Sequence, residues 1–143
     1  MQITGSCHCG NISFTLDWRG DPDKIPARAC SCTFCRKHGA LWTSNPESSL
    51  AVTVRDPALA ATYRFATGTG LFHFCARCGV PLLVTCRIDE RTYAVVNVNV
   101  LNDLEPSRLR RVEASFDGEA IESRLARRQR NWIGDVTITS PPG

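Results

Sequence analysis

Seven of the eight cysteines in this chain fall into three short groups: Cys7-x-Cys9, Cys30-x-Cys32-x-x-Cys35 and Cys75-x-x-Cys78. Such close spacing, as in Cys7-His8-Cys9, suits two thiolates on one soft ion better than two separate disulfide bridges. A closed structural zinc site takes four tetrahedral ligands, and two facing turns with two cysteines each supply them. Cys7, Cys9, Cys75 and Cys78 are expected to form that site and to tie the start of the chain to a turn far along it. Gly10 and Gly79, directly after these pairs, are expected to let the backbone turn where a Cβ would clash.

Cys30, Cys32 and Cys35 offer three ligands and no obvious fourth. Catalytic zinc sites commonly use three protein ligands and keep one position for water or substrate. Three thiolates on a divalent ion leave a net charge of minus one, which lowers Lewis acidity. Such an ion is suited to holding and deprotonating an incoming thiol rather than to activating water. The expectation is a second, more labile zinc serving thiol chemistry. The alternative is a second closed site completed by Cys86, His8, His38 or His73.

Cys86 lies eight residues past Cys78, roughly 26 Å along a fully extended strand at about 3.3 Å per residue. Within Leu82-Leu83-Val84-Thr85-Cys86 it reads as a buried core cysteine. His73, between Phe72 and Phe74, reads as facing the opposite side of its strand. Arg36, Lys37 and His38 directly follow the triplet and are the candidate substrate-binding residues, supplying charge and a proton relay.

These groups spread over the first 86 residues, so the fold has to gather them. Ile12, Phe14 and Leu16 alternate with Ser13, Thr15 and Asp17 in the period of a half-buried strand. Further strands are expected over 50–54, 63–66, 71–74, 81–86, 92–98 and 136–138. Turn signals fall at Gly20-Asp21-Pro22, Asp56-Pro57, Gly68-Thr69-Gly70 and Asp103 to Pro106. Asp56 and Pro57 are suited to capping one brief helical turn over 58–61. One longer helix is expected over 119–130, with Ile121, Leu125 and Trp132 on one side and arginines on the other. Ser140-Pro141-Pro142-Gly143 reads as a frayed tail. No strand-helix alternation appears, so the class is mainly β, closer to a sandwich than to a parallel sheet.

Composition places all of this in one domain over residues 1–143, with 43% hydrophobic and 22% charged residues. Met1 to Ser6 shows no basic start followed by an apolar run, and no stretch approaches the roughly 18 apolar residues of a membrane span. A cytoplasmic, reducing compartment is expected, where clustered cysteines bind metal more often than they pair. The net charge is +3. Arg108, Arg110, Arg111, Arg124, Arg127, Arg128 and Arg130 concentrate basic charge late in the chain. This reads as a solvated helical face. Nucleic-acid binding ranks last, because few aromatics accompany these residues.

Three segments carry a resemblance to a known family: Gly5-Ser6-Cys7-His8-Cys9-Gly10, Cys30-Ser31-Cys32-Thr33-Phe34-Cys35-Arg36-Lys37-His38, and Phe74-Cys75-Ala76-Arg77-Cys78-Gly79-Val80-Pro81-Leu82. In order and spacing the chain resembles the glutathione-dependent formaldehyde-activating enzymes, whose domain is shared with centromere protein V. The resemblance implies a β-tent of small antiparallel sheets stapled by zinc knuckles. It maps the closed zinc onto Cys7, Cys9, Cys75 and Cys78, and the open zinc onto Cys30, Cys32 and Cys35. It also implies glutathione as co-substrate and formaldehyde or a related small aldehyde as its partner. The reaction would join them as S-hydroxymethylglutathione, and its reverse is a carbon-sulfur lyase step. Arg28, Arg36, Lys37 and Arg64 are the candidates to receive the glutathione carboxylates. Two readings compete: a glutathione carrier or sensor without catalysis, and a structural zinc module that binds nucleic acid or protein.

Overall fold

A computed structural model describes residues 1–141, and Pro142 and Gly143 of the expected tail lie outside the described residues. The first half of the chain forms β1 (Gln2–Ser6), β2 (Ile12–Asp17), β3 (Ile25–Cys30), helix α1 (Thr33–His38), β4 (Trp42–Thr43) and β5 (Ser49–Val54). There follow β6 (Ala60–Tyr63), β7 (Leu71–Cys75), β8 (Pro81–Ile88), β9 (Arg91–Asn97), β10 (Leu109–Ala114), helix α2 (Ile121–Asn131) and β11 (Asp135–Thr139). Two sheets result, in the orders β1-β2-β5-β11 and β10-β3-β4-β9-β8-β7-β6. The mainly β class with a C-terminal helix is as expected. Antiparallel pairing is not universal: β10 runs parallel to β3 and β11 parallel to β5, both at sheet edges.

The principal core draws on both sheets, with Phe14, Leu16, Leu50 and Val52 from one and Ile25, Leu82, Ala94 and Val96 from the other. A second cluster occupies the opposite face of β8 and β9, where Val84, Cys86, Tyr93 and Val95 join Trp42, Cys35 and Trp132. Along β9 the residues alternate between these clusters, Ala94 and Val96 to the first, Tyr93 and Val95 to the second. A strand buried on both faces explains why its sequence is a nearly unbroken apolar run.

Several local expectations change. The strand expected over 63–66 occupies Ala60–Tyr63 instead. Asp56 does cap a turn, accepting from the Ala58 N–H, but that turn is a 3-10 segment ending at Leu59. Beyond Tyr63 the chain leaves the sheet: Ala66 adopts φ +52° and Arg64 Nη1 donates to the Gly68 carbonyl at 2.8 Å. Strands β1, β3, β4 and β10 and helix α1 were not expected from periodicity. β3 contains Pro26 and Arg28, and β10 is an exposed basic edge, so neither shows a clean alternation.

Helix α2 begins and ends within two residues of the expected span, but its faces are assigned differently. Ile121 is 51% exposed, whereas Arg128 is only 8% exposed and the Arg124 and Arg127 side chains 17% each. Leu125 and Trp132 pack on the second cluster as expected. The three arginines therefore do not form a solvated face. They lie against the rest of the protein.

Candidate functional site

Two turns bring the first thiol group together. In each, the cysteine that opens the turn donates its N–H five residues ahead, Cys7 to Ile12 at 2.9 Å and Cys75 to Val80 at 3.1 Å. Both then pass through a glycine with positive φ, Gly10 at +82° and Gly79 at +80°. No atom lies within 4 Å of a Cβ built on either one, so the left-handed backbone, not a clash, is what selects glycine there. Cys7 and Cys75 are buried at the end of β1 and of β7, Cys78 is half-buried and Cys9 is exposed.

The ligand atoms of Cys7, Cys9, Cys75 and Cys78 all lie within 4.8 Å of one another. The Cys7–Cys9 and Cys9–Cys75 sulfur separations are 3.8 and 3.5 Å. Four sulfurs at about 2.3 Å from a tetrahedral zinc would stand ~3.8 Å apart, so the set fits that ion. Burial pushes the Cys7 thiol up to about 11, aided by its three neighbouring thiols and opposed by the Ile12 N–H. At Cys78 burial is outweighed by the N–H groups of Cys9 and Val80 and by the Cys75 and Cys7 thiols, which bring it to about 6.

The second group is built by a strand end and one helical turn. Cys30 closes β3, Cys32 is the N-cap of α1, and Cys35 is buried within that helix. Cys32 Sγ accepts the Cys35 N–H at 3.3 Å, and Gly39 ends the helix at φ +73°. The β3 end is held by β10, with Ala114 opposite Cys30 and its carbonyl accepting the Ser31 N–H at 3.0 Å. Again the three ligand atoms lie within 4.8 Å of one another. The Cys35 thiol holds Cys30 down to about 5, with help from Cys32 and against burial and Asp117. The hydrogen bond to Cys30, then burial, raises Cys35 far above the ordinary thiol range. Three sulfurs this close, with the Cys30 thiol held well below the ordinary range, form a donor set suited to a soft cation.

No further cysteine, histidine or carboxylate joins either cluster among the described residues. Cys86 is 2% exposed within β8, the core position expected of it. His73 shares a 2.7 Å hydrogen bond with the Thr85 hydroxyl, and His8 is exposed. His38 Nδ1 accepts the Ala40 N–H at 3.1 Å, while its ring stacks edge-on to Phe34.

The three-thiol cluster opens into a cavity of about 460 Å³, within the roughly 300–1,000 Å³ of small-ligand sites. Apolar walls come from Trp42, Phe65, Phe72, Val84 and Trp132, and charge from Arg28, Arg124, Arg127, Arg128, Asp117 and Glu119. Arg36 and Lys37 are exposed on α1 and do not line it. His38 lines a separate aromatic cavity with Phe34, Tyr63 and Phe74. The arginines of α2 were visible in the sequence only as surplus positive charge. Their spacing at 124, 127 and 128 marks one helical face, but only the packing of α2 identifies that face as inward.

Residues 2–117 match the sequence profile of the family described as glutathione-dependent formaldehyde-activating enzyme. A protein of Halomonas elongata, provisionally named a glutathione-dependent formaldehyde-activating enzyme, is 32% identical over 91 residues. That alignment covers 59% of this chain and 56% of the relative, so the match spans about half the relative's length. The crystal structure of a Rhodobacter sphaeroides protein superposes with a TM-score of 0.53 at 29% identity, covering 72% of this chain and 91% of that one.

Proposed function

Because the chain belongs to the glutathione-dependent formaldehyde-activating enzyme family, we propose that it joins glutathione, or a closely similar thiol, to formaldehyde or a related small aldehyde at the three-thiol cluster. A carbon–sulfur bond forms between the thiol sulfur and the carbonyl carbon. The carbonyl π electrons pass to oxygen, and the proton lost by the thiol ends on that oxygen. Run backwards, this is a carbon-sulfur lyase step. The carrying observation is that Cys30, Cys32 and Cys35 converge at the wall of a cavity, whereas Cys7, Cys9, Cys75 and Cys78 line none of its surface.

Cys30, Cys32 and Cys35 would hold a zinc ion, and Cys7, Cys9, Cys75 and Cys78 a second one. Bound by three thiolates, zinc supplies a place to capture and deprotonate a thiol. The chain's own residues supply the rest. Trp42, Phe72 and Trp132 give the cavity apolar walls that limit water, which strengthens electrostatic interactions inside it. Arg28 and the α2 arginines give those walls positive charge suited to an anionic thiol such as glutathione.

The direct test follows adduct formation between glutathione and formaldehyde by exchange NMR with and without the protein. The rate is expected to rise above the spontaneous reaction with native protein. Cys32→Ser is expected to abolish the increment while leaving the circular-dichroism spectrum unchanged. Absence of any increment with glutathione and a series of small aldehydes would sink the proposal.

A further inference from the structure

The cavity carries more positive charge than the protein neutralises. Of its two carboxylates, Glu119 is committed to Arg127, with contacts of 3.1 Å to both Nε and Nη2, and approaches Arg124 at 3.8 Å. Asp117 is exposed and makes no ion pair among the described residues. Arg28 and Arg128 are left with neutral partners. Arg28 Nη2 donates to Ser44 Oγ at 2.7 Å, and that hydroxyl donates in turn to the Asn131 carbonyl at the end of α2. Arg128 Nη1 donates to Thr69 Oγ1 at 2.9 Å and to Cys86 Sγ at 3.4 Å.

Arg128 is more than nine-tenths buried, and its Nε has no hydrogen-bond partner. Its guanidinium lies over the Trp132 ring at 4.7 Å, which fixes the plane. Removing a cation from water is expensive unless an anion meets it, and a planar guanidinium fork matches a carboxylate with two parallel hydrogen bonds. Gly70 lies beside the guanidinium, where an added Cβ would stand in ordinary contact at 3.7 and 3.8 Å from the Arg128 terminal nitrogens. Arg28 is half-buried in the wall of the same cavity, with Arg127 also lining it, so an anion there would meet more than one cation.

We propose that Arg28 on β3 and Arg128 on α2 form a carboxylate-binding subsite that receives a carboxylate of the thiol substrate, in the same cavity that the three-thiol cluster lines. The proposal rests on the preceding reading for the identity of the substrate, though not for the chemistry of the subsite. Helix α2 begins at Ile121, beyond the 2–117 stretch matched to the family. The subsite thus joins a residue of the family domain to one contributed by the chain's own C-terminal helix. It selects thiols that carry a carboxylate over neutral ones of similar size.

The test is calorimetric titration with S-methylglutathione, which has both carboxylates but no thiol, and with its dimethyl ester. Native protein is expected to bind the diacid at least tenfold more tightly than the ester. Arg28→Gln and Arg128→Gln are each expected to erase most of that preference while leaving affinity for the ester unchanged. Where Arg128→Gln fails to fold, the Arg28→Gln protein and the native preference decide the matter. Equal binding of the two probes by native protein, no binding of either, or a full preference retained in Arg28→Gln would overturn the subsite. Neither probe has a thiol, so a preference for the diacid without accelerated adduct formation upholds the subsite and removes only the catalytic reading. Acceleration with equal probe binding does the reverse.

Discussion

At the residue scale, spacing was a reliable guide to the thiol clusters because a metal knuckle is a local object. Two cysteines separated by one or two residues, then a glycine, specify a turn almost by themselves, and the two such turns, at Cys7-Cys9-Gly10 and Cys75-Cys78-Gly79, bring their four sulfurs together. The triplet converges because its three cysteines share one short segment. The arginines were harder, because charge alone does not say which way a side chain faces. Glu119 provides a check on that arrangement. Its hydrogen bonds to Arg127, with Arg124 and Arg128 nearby, hold its carboxyl below the ordinary value of 4.5. A lowered folded-state value means a contribution to stability that is present above about pH 4.5 and lost as pH falls through the folded titration. Glu119→Gln is therefore expected to melt below native protein at neutral pH, with the difference shrinking as the pH is lowered towards 3. Melting curves across that range measure it, and a constant difference would contradict the ion pair.

At the scale of elements, β2, β5, β7, β8, β9 and β11 were legible because hydrophobic alternation or a short apolar run is a property of a single segment. Edge strands were not. β10 is an exposed Leu-Arg-Arg-Val-Glu-Ala run held in parallel to β3, a long-range pairing that its own residues do not announce. Helix α1 was hidden for another reason: six residues are too few to show a period, and its cap is a cysteine of the three-thiol cluster. The β1–β2 hairpin carries a sharper constraint. Gly5 lies opposite Phe14, and a Cβ at Gly5 would fall 2.3 Å from the ring. The ring is buried at 3% exposure and cannot swing aside into solvent. Gly5→Ala is expected to destabilise the protein by about 1–3 kcal/mol, read as a lower urea midpoint with the slope unchanged. Alanine without effect would show that the hairpin is looser than described.

Across the whole molecule, the four-thiol cluster joins the end of β1 to the end of β7, and so connects the two sheets at positions far apart in sequence. Metal binding at such a point is coupled to folding, because the unfolded chain has no preformed site. If each cluster holds an ion, a strong chelator is expected to lower the melting temperature in two stages, the three-thiol cluster giving up its ion with little change and the four-thiol cluster with loss of structure. The three-thiol cluster draws all its ligands from one segment of six residues, so an ion there cross-links almost nothing. One cluster thus joins distant strands, and the other faces a cavity. Metal content per chain, measured with melting temperature for Cys75→Ser and Cys32→Ser, tests this asymmetry most directly. Cys32→Ser is expected to keep one tightly held ion and to melt within a few degrees of native protein, whereas Cys75→Ser loses its cooperative transition. Equal loss of structure in both variants, or a Cys75→Ser protein as stable as native, would contradict the account.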